Sequence, residues 1–254
     1  MTPAVVALLP KKNTLSSQVA RYLLDFIARE QLKEGDLAPS EVQICRDLNI
    51  SRGIVREAYR TLATLGILEI ESGKWPRVQG LNSSVLTQFV GFALRTAHLD
   101  PLQVLQLRRA IEIEAARLAA QHRTPAQFER LRECVSEMQQ AGLDHDRLIS
   151  ADVILHTTLA EATQNPLFIL MMEGLRGPLE VSMAEGLKSR RTREEVLHVP
   201  DVHNAIVQRV YARDGEGAAR AMAHHFDLSA AAILTAGVAA LASGRNAQEA
   251  QRRR

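Results

Sequence analysis

LAPSEVQICRDLNISRGIVREAYRTLATLGILEIESGKWPRV, residues Leu37 to Val78, decides the fold of this chain. Ser40 is followed three positions later by Gln43. That is a capping-box pattern, in which the serine oxygen accepts an orphan backbone N–H and the glutamine reaches back. A helix is expected to begin there and carry Ile44 and Leu48 inward. Asn49 tolerates the left-handed conformation of a tight turn, and Ser51 is placed to cap a second helix. The order is helix, short turn, helix.

On the second helix Val55, Ala58, Leu62 and Leu65 form an apolar stripe, while Arg52, Arg56 and Arg60 follow one another at i, i+4, i+8 along a neighbouring line. One face packs and the adjoining face presents guanidinium groups. Gly66 ends the helix. Ile67 to Ile70 and Val78 then flank Glu71-Ser72-Gly73-Lys74 as a short β-hairpin, with Lys74 at the tip where a phosphate or the minor groove would lie. Taken alone, arginines near Glu57 and Asp47 are equally a solvated, ion-paired helix face. The sequence of parts within about 45 residues favours a device that places a helix in a DNA groove.

Working outward, residues 1–13 are expected to be loose. Leu15, Val19, Leu23, Phe26 and Ile27 repeat with helical period, giving a supporting first helix. Residues 14–79 thus make a winged helix-turn-helix domain, 80–85 (Gly80 to Val85) a small polar linker, 86–242 a helical domain and 243–254 a frayed basic tail. Breaks at Asp100-Pro101, Thr124-Pro125, Gly142 to Asp144, Asn165-Pro166, Pro200-Asp201 and Asp214-Gly215 divide the second domain into roughly six or seven helices. The fold class expected is mainly α: a winged helix-turn-helix whose wing supplies the strands, then an antiparallel helical bundle.

Of 254 residues 46% are hydrophobic and only 4% aromatic, which suits packed helices over sheets. A formal net charge of +2 is too small for a general polyanion coat, so nucleic-acid affinity must come from local arginine placement. Cys45 and Cys134 stand far apart without a CxxC pair, as a reducing compartment permits. The short apolar run in MTPAVVALLPKK has no basic segment before it and is too short for a signal peptide or a span, so no membrane association and a cytoplasmic location are expected.

In the second domain, titratable residues sit on stripes that otherwise read as buried. Ile149, Asp152, His156 and Leu159 share one helix face, His203 lies with Ile206 and Val210, and His225 lies with Met222 and Leu228. A lone inward histidine is usually a hydrogen-bonded core residue. A carboxylate and three imidazoles that converge would instead suit a divalent transition metal, zinc first, then manganese, iron or nickel. Arg108 is a further inward charge, on a stripe with Val104, Ile111, Ala115 and Leu118. It reads either as the partner of a core carboxylate or as the receptor of a bound carboxylate, and the second reading is preferred.

PSE at Pro39 to Glu41 and NISRGIVREAYRTLATLGILE from Asn49 to Glu69 resemble the winged helix-turn-helix of GntR-family transcription regulators. DVILH from Asp152, EATQNPLF from Glu161, VHNAI from Val202 and RDGEGAARAMAHH from Arg213 resemble the all-helical FCD-type sensor domain of the FadR subfamily. The resemblance implies DNA contacts from Ser51, Arg52, Gly53, Arg56, Gly73 and Lys74. It implies metal ligation by Asp152, His156, His203 and His225, with His224 and His198 as rivals for the last and third positions. It also implies a small carboxylate effector held by Arg108. A homodimer on a near-palindromic double-stranded operator follows from the same resemblance. Gly53, Val42, Ala38 and Val202 depart from the usual pattern. A metal-dependent enzyme is the competing class, since such a centre can activate water. The sequence has no nucleophile elbow, phosphate loop or HExxH helix, and no obvious general base beside the ligands, so no catalysis is expected.

Overall fold

Thr14 starts the first helix by accepting a hydrogen bond from the Ser17 amide at 3.2 Å. The computed structural model describes residues 14–96, 98, 101–175, 177 and 192–252. The loose N-terminal residues 1–13, the Asp100 cap and the Arg253-Arg254 end expected from sequence lie outside these.

Helix α1 (Leu15–Arg29) buries Val19, Ala20, Leu23 and Leu24. Of the expected stripe Val19 and Leu23 are buried and Ile27 packs against the same core, whereas Leu15, in the first turn, is 52% exposed and Ala20 joins the packing face. In α2 (Glu41–Leu48), Ser40 accepts from the Gln43 amide at 3.1 Å, so the serine half of the expected box is present. Asn49 closes the helix at φ 51°, ψ 45°, the left-handed turn its residue type favours. Helix α3 (Arg52–Thr64) buries Val55, Ala58, Tyr59 and Leu62. Ser51 stands at its N-cap position, yet its side chain makes no cap hydrogen bond, contrary to expectation, and its hydroxyl is left for other partners. Tyr59, unremarked in the sequence, donates from its buried hydroxyl to the Pro39 carbonyl at 2.5 Å and ties α3 to the approach to α2.

Gly66 turns the chain at φ +68°, a conformation that side chains resist. Strands β1 (Leu68–Glu69) and β2 (Arg77–Val78) follow, antiparallel, with Leu68 opposite Val78 and Glu69 opposite Arg77. An isolated bridge from Leu37 to Arg77 adds a third edge. Leu23, Ile44, Val55, Ala58, Tyr59, Leu62 and Leu68 form one core.

The chain divides into two compact units, Met1–Val85 and Leu86–Arg254. Helix α4 (Ser84–Arg95) begins within the expected linker, because Asn82 accepts from the Ser84 amide at 3.2 Å and can start a helix. Helices α5 (Pro101–His122), α6 (Pro125–Ala141), α7 (His145–Ala162) and α8 (Pro166–Gly174) come next. Thr124 and Gln127 make a complete capping box on α6, Asp144 caps α7 and Asn165 caps α8. A five-residue helix α9 (Arg193–Leu197), α10 (Val199–Tyr211) and α11 (Gly215–Arg252) complete the described residues. Among the described residues the expected six or seven helices appear as eight segments, α9 being set off from α10 only at His198. The tail expected to fray is helical as far as Arg252. Its alanine, glutamine and arginine residues favour helix without needing an apolar stripe.

Helix α5 packs on α7, α10 and α11, and α6 packs on α7 and α10. Fully buried alanines at 116, 119, 120 and 218 let the α5 and α11 backbones approach closely within a core that includes Leu131, Met138, Leu155 and Phe226. No described helix is long and apolar enough to cross a membrane.

Candidate functional site

The i, i+4 spacing on α5 sends Arg108 and Glu112 to one side, and the same spacing on α7 aligns Asp152 with His156. All four are buried, at 3%, 2%, 5% and 1% exposure, as is His203 on α10 at 1%. His225 on α11 is partly buried. A ligand nitrogen from each of His156, His203 and His225 lies within 4.8 Å of the other two. Asp152 bridges two of these rings: Oδ1 is 2.7 Å from His203 Nε2, and Oδ2 is 3.4 Å from His156 Nε2. The rivals face outward, His224 being exposed and His198 60% exposed beside Asp201.

Hydrogen bonding fixes which nitrogens are available. His203 Nδ1 lies 2.8 Å from the Val199 carbonyl, which can only accept, so Nδ1 carries the proton. In the neutral ring Nε2 then bears a lone pair, and it faces a carboxylate oxygen. Two acceptors this close repel unless a proton or a cation lies between them. His156 repeats the pattern, with Nδ1 on Glu112 and Nε2 toward Asp152. Both Nε2 atoms are buried without a hydrogen-bond partner among the described residues. This donor set of three imidazoles and one carboxylate fits a divalent transition metal.

Burial opposes ionisation of Asp152, but His156, His203 and His225 beside it hold its carboxyl well below the usual range. Burial also opposes ionisation of Glu112, and the Arg108 and His156 charges hold it below its ordinary value. Burial lowers His156, yet Glu112 and Asp152 more than offset this and raise it. Burial, then the adjacent His203 and His156, push His225 well down, so its ring stays neutral and able to ligate.

Glu112 was missed from sequence, and it amends two expectations. Arg108 has a core carboxylate partner after all: its NH2 group is 2.8 Å from Glu112 Oε1. The absence of a base beside the ligands is also corrected, although Glu112 is already engaged by Arg108 and His156. The signal lay in the Arg108 to Glu112 spacing of four, the usual register of a helical ion pair. Arg108 keeps further capacity, since its Nε is buried without a hydrogen-bond partner and its guanidinium lies 5.2 Å from the Phe226 ring.

In the N-terminal unit Arg52, Arg56 and Arg60 are exposed along α3. Arg56 Nε sits 3.6 Å from Glu41 Oε2, so its partner is the acid of the PSE segment, not Glu57 or Asp47. At Gly53 a Cβ would meet nothing within 4 Å, which leaves open space at the start of the helix. Gly73 turns the wing at φ +77°, and Lys74 Nζ pairs with Glu71 Oε2 at 2.5 Å, which raises the lysine pKa. Between α3 and the wing runs a groove of about 580 Å³, lined by Ser40, Arg56, Arg60, Lys74 and Trp75 among others.

An exposed arginine helix beside a wing, joined in one chain to a helical domain with an inward imidazole cluster, defines a DNA-binding transcription regulator with a sensor domain. The profile described as "Bacterial regulatory proteins, gntR family" matches residues 15–77, and that of the FCD domain matches residues 103–228. The HTH-type transcriptional regulator LutR of Bacillus subtilis (strain 168) is 31% identical over 203 residues, 78% of this chain and 92% of that protein. The putative L-lactate dehydrogenase operon regulatory protein of Escherichia coli (strain K12) is 29% identical over 230 residues, 85% of this chain and 84% of its own length. The solved structure of Streptococcus agalactiae GntR is similar in fold, with a TM-score of 0.63 at 23% identity over 84% of this chain and 97% of that one. The chain belongs to the GntR family of bacterial regulatory proteins, with the FCD sensor domain of the FadR subfamily. Its relatives are transcription regulators, not enzymes.

Proposed function

We propose that this regulator binds a near-palindromic operator as a homodimer in the cytoplasm and is switched by a small organic acid bound beside a divalent metal in its helical domain. The observation that carries the reading is the convergence of His156, His203 and His225 nitrogens within 4.8 Å, with the Asp152 carboxylate against two of them. Asp152, His156, His203 and His225 hold the metal, zinc first, then manganese, iron or nickel. When bound, the ion would supply a positive charge that attracts an anion.

Arg108 offers a second cationic anchor through the donors that Glu112 does not use. A short carboxylate spanning the two centres fits this chemistry. One relative is named for an L-lactate dehydrogenase operon, and a regulator of hydroxy-acid metabolism has reason to sense such a molecule. On DNA, Ser51, Arg52 and Arg56 at the start of α3 make base and phosphate contacts, Gly53 allows close approach, and Gly73-Lys74 places the wing on the backbone.

A panel of small mono- and dicarboxylates screened by thermal shift, on metal-loaded and on chelator-treated protein, tests the reading. An acid at a hundred times its dissociation constant adds about 2.7 kcal/mol of stability. Stabilisation by one acid that depends on metal is expected. If no acid stabilises either form while chelation alone changes DNA affinity, the protein is a direct metal sensor.

A further inference from the structure

Glu112 is a buried carboxylate that meets the cluster only through the Nδ1 side of His156. One oxygen reaches Arg108 NH2 at 2.8 Å, and the other meets His156 Nδ1. It is 2% exposed, and the buried Arg108 guanidinium against it is the counter-charge of a carboxylate. An ionised carboxylate can only accept, so His156 Nδ1 must donate to it. The two nitrogens of an imidazole lie on opposite sides of the ring, and fixing one fixes the other. In the neutral ring His156 Nε2 then bears the lone pair, toward Asp152, His203 and His225, where it has no hydrogen-bond partner among the described residues.

We infer that Glu112 is a positioning residue: it locks His156 in the tautomer and ring orientation that ligate metal, and it is itself held in place by Arg108. The inference rests on the metal site proposed above and adds a residue to its function. Carboxylates behind metal-bound histidines also raise ligand basicity, and their loss typically weakens metal affinity about 10–100-fold.

The test uses Glu112→Gln in the full chain. The amide keeps the volume and an acceptor but lacks the charge, and far-UV circular dichroism establishes that the variant is folded. Cobalt(II) serves as the metal probe, read by its visible absorption. Histidine side-chain nitrogen NMR of the metal-free protein reports the tautomer. The wild type is expected to bind cobalt with a ligand-field band and, at a pH where the rings are neutral, to show His156 as well as His203 carrying its proton on Nδ1; in the variant His156 alone loses this state and cobalt affinity falls about 10–100-fold. If both proteins bind cobalt equally and the tautomer is unchanged, Glu112 is only a structural partner of Arg108 and the inference fails alone. If the wild type binds no cobalt, the metal site fails and this inference fails with it. Should Glu112→Gln not fold, Glu112→Asp takes its place with the same outcomes, since the shorter acid keeps the charge but withdraws the oxygen from the ring.

Discussion

Arg56 and Lys74 point to the same groove but are expected to fail differently. Arg56 begins from a loose 3.6 Å pairing with Glu41, which a guanine edge can displace. Arg56→Ala should cost about 1 to 3 kcal/mol on the operator and much less on random DNA, as read by anisotropy at fixed salt. Lys74 is a point charge on the wing, so Lys74→Ala should weaken all sequences alike and reduce the salt slope by about 1. Equal losses on operator and random DNA for Arg56→Ala would remove it from base recognition. The two thiols also part company. Burial pushes Cys134 up to about 11, whereas Cys45 is partly exposed. One thiol should therefore react with a colorimetric disulfide reagent at pH 8 in native protein, and both in denaturant.

The buried site gives a pH signature in metal-free protein. His225 is held below its ordinary value, so from that depressed value up to about 6.5 only the unfolded chain carries the proton, and stability rises with pH. His156 is held above its ordinary value, so from about 6.5 to its raised value only the folded chain carries the extra proton, and stability falls as pH rises. Asp152 and Glu112, both depressed, stabilise above about pH 4, and that contribution is lost as pH falls through their lowered values. The melting temperature of chelated protein should accordingly peak near about pH 6.5. A monotonic course between pH 5 and 8 would contradict these assignments.

At the scale of elements, helix starts were the most legible feature, because a cap is a local bond between residues three apart. Ser40, Thr124, Asp144 and Asn165 all accept the amide bonds their positions imply. Thr124→Ala removes the side-chain half of the α6 box, leaving the Thr124 amide on Gln127, and should cost about 1 kcal/mol in urea unfolding. The apolar stripe of α3 and the shared face of Asp152 and His156 were legible for a similar reason, since each lies within one helical period. What escaped needed a partner distant in sequence. The Tyr59 hydroxyl finds Pro39 across 20 residues, and Glu112 finds His156 across 44. A glutamate in a long amphipathic helix ordinarily faces water, and only the packing of α5 on α7 reveals that this one does not. The helical tail escaped because propensity alone, without a stripe, extends α11.

For the whole molecule, regulation requires that effector and operator affect each other's affinity, and thermodynamics makes this reciprocal. The exposed arginines of α3 belong to one compact unit, and the Arg108–Glu112–His156 chain to the other. An acid bound between Arg108 and the metal can shift DNA affinity only by the difference in its own affinity for the DNA-bound and DNA-free states. Couplings of about 1 to 3 kcal/mol correspond to roughly 5- to 150-fold in operator affinity. The acid found by thermal shift should therefore change operator affinity by some factor, and the operator should change the acid's affinity by that same factor in calorimetric titrations. Trp75, 57% exposed in the wing and the single tryptophan of the chain, provides the fluorescence signal for the DNA half of this cycle. Arg108→Lys keeps a cation beside Glu112 while losing the bidentate fork, so it should shrink the acid's effect and leave acid-free operator affinity intact. An unchanged acid response in that variant would move the effector away from Arg108 and leave the imidazole cluster as the sensing element.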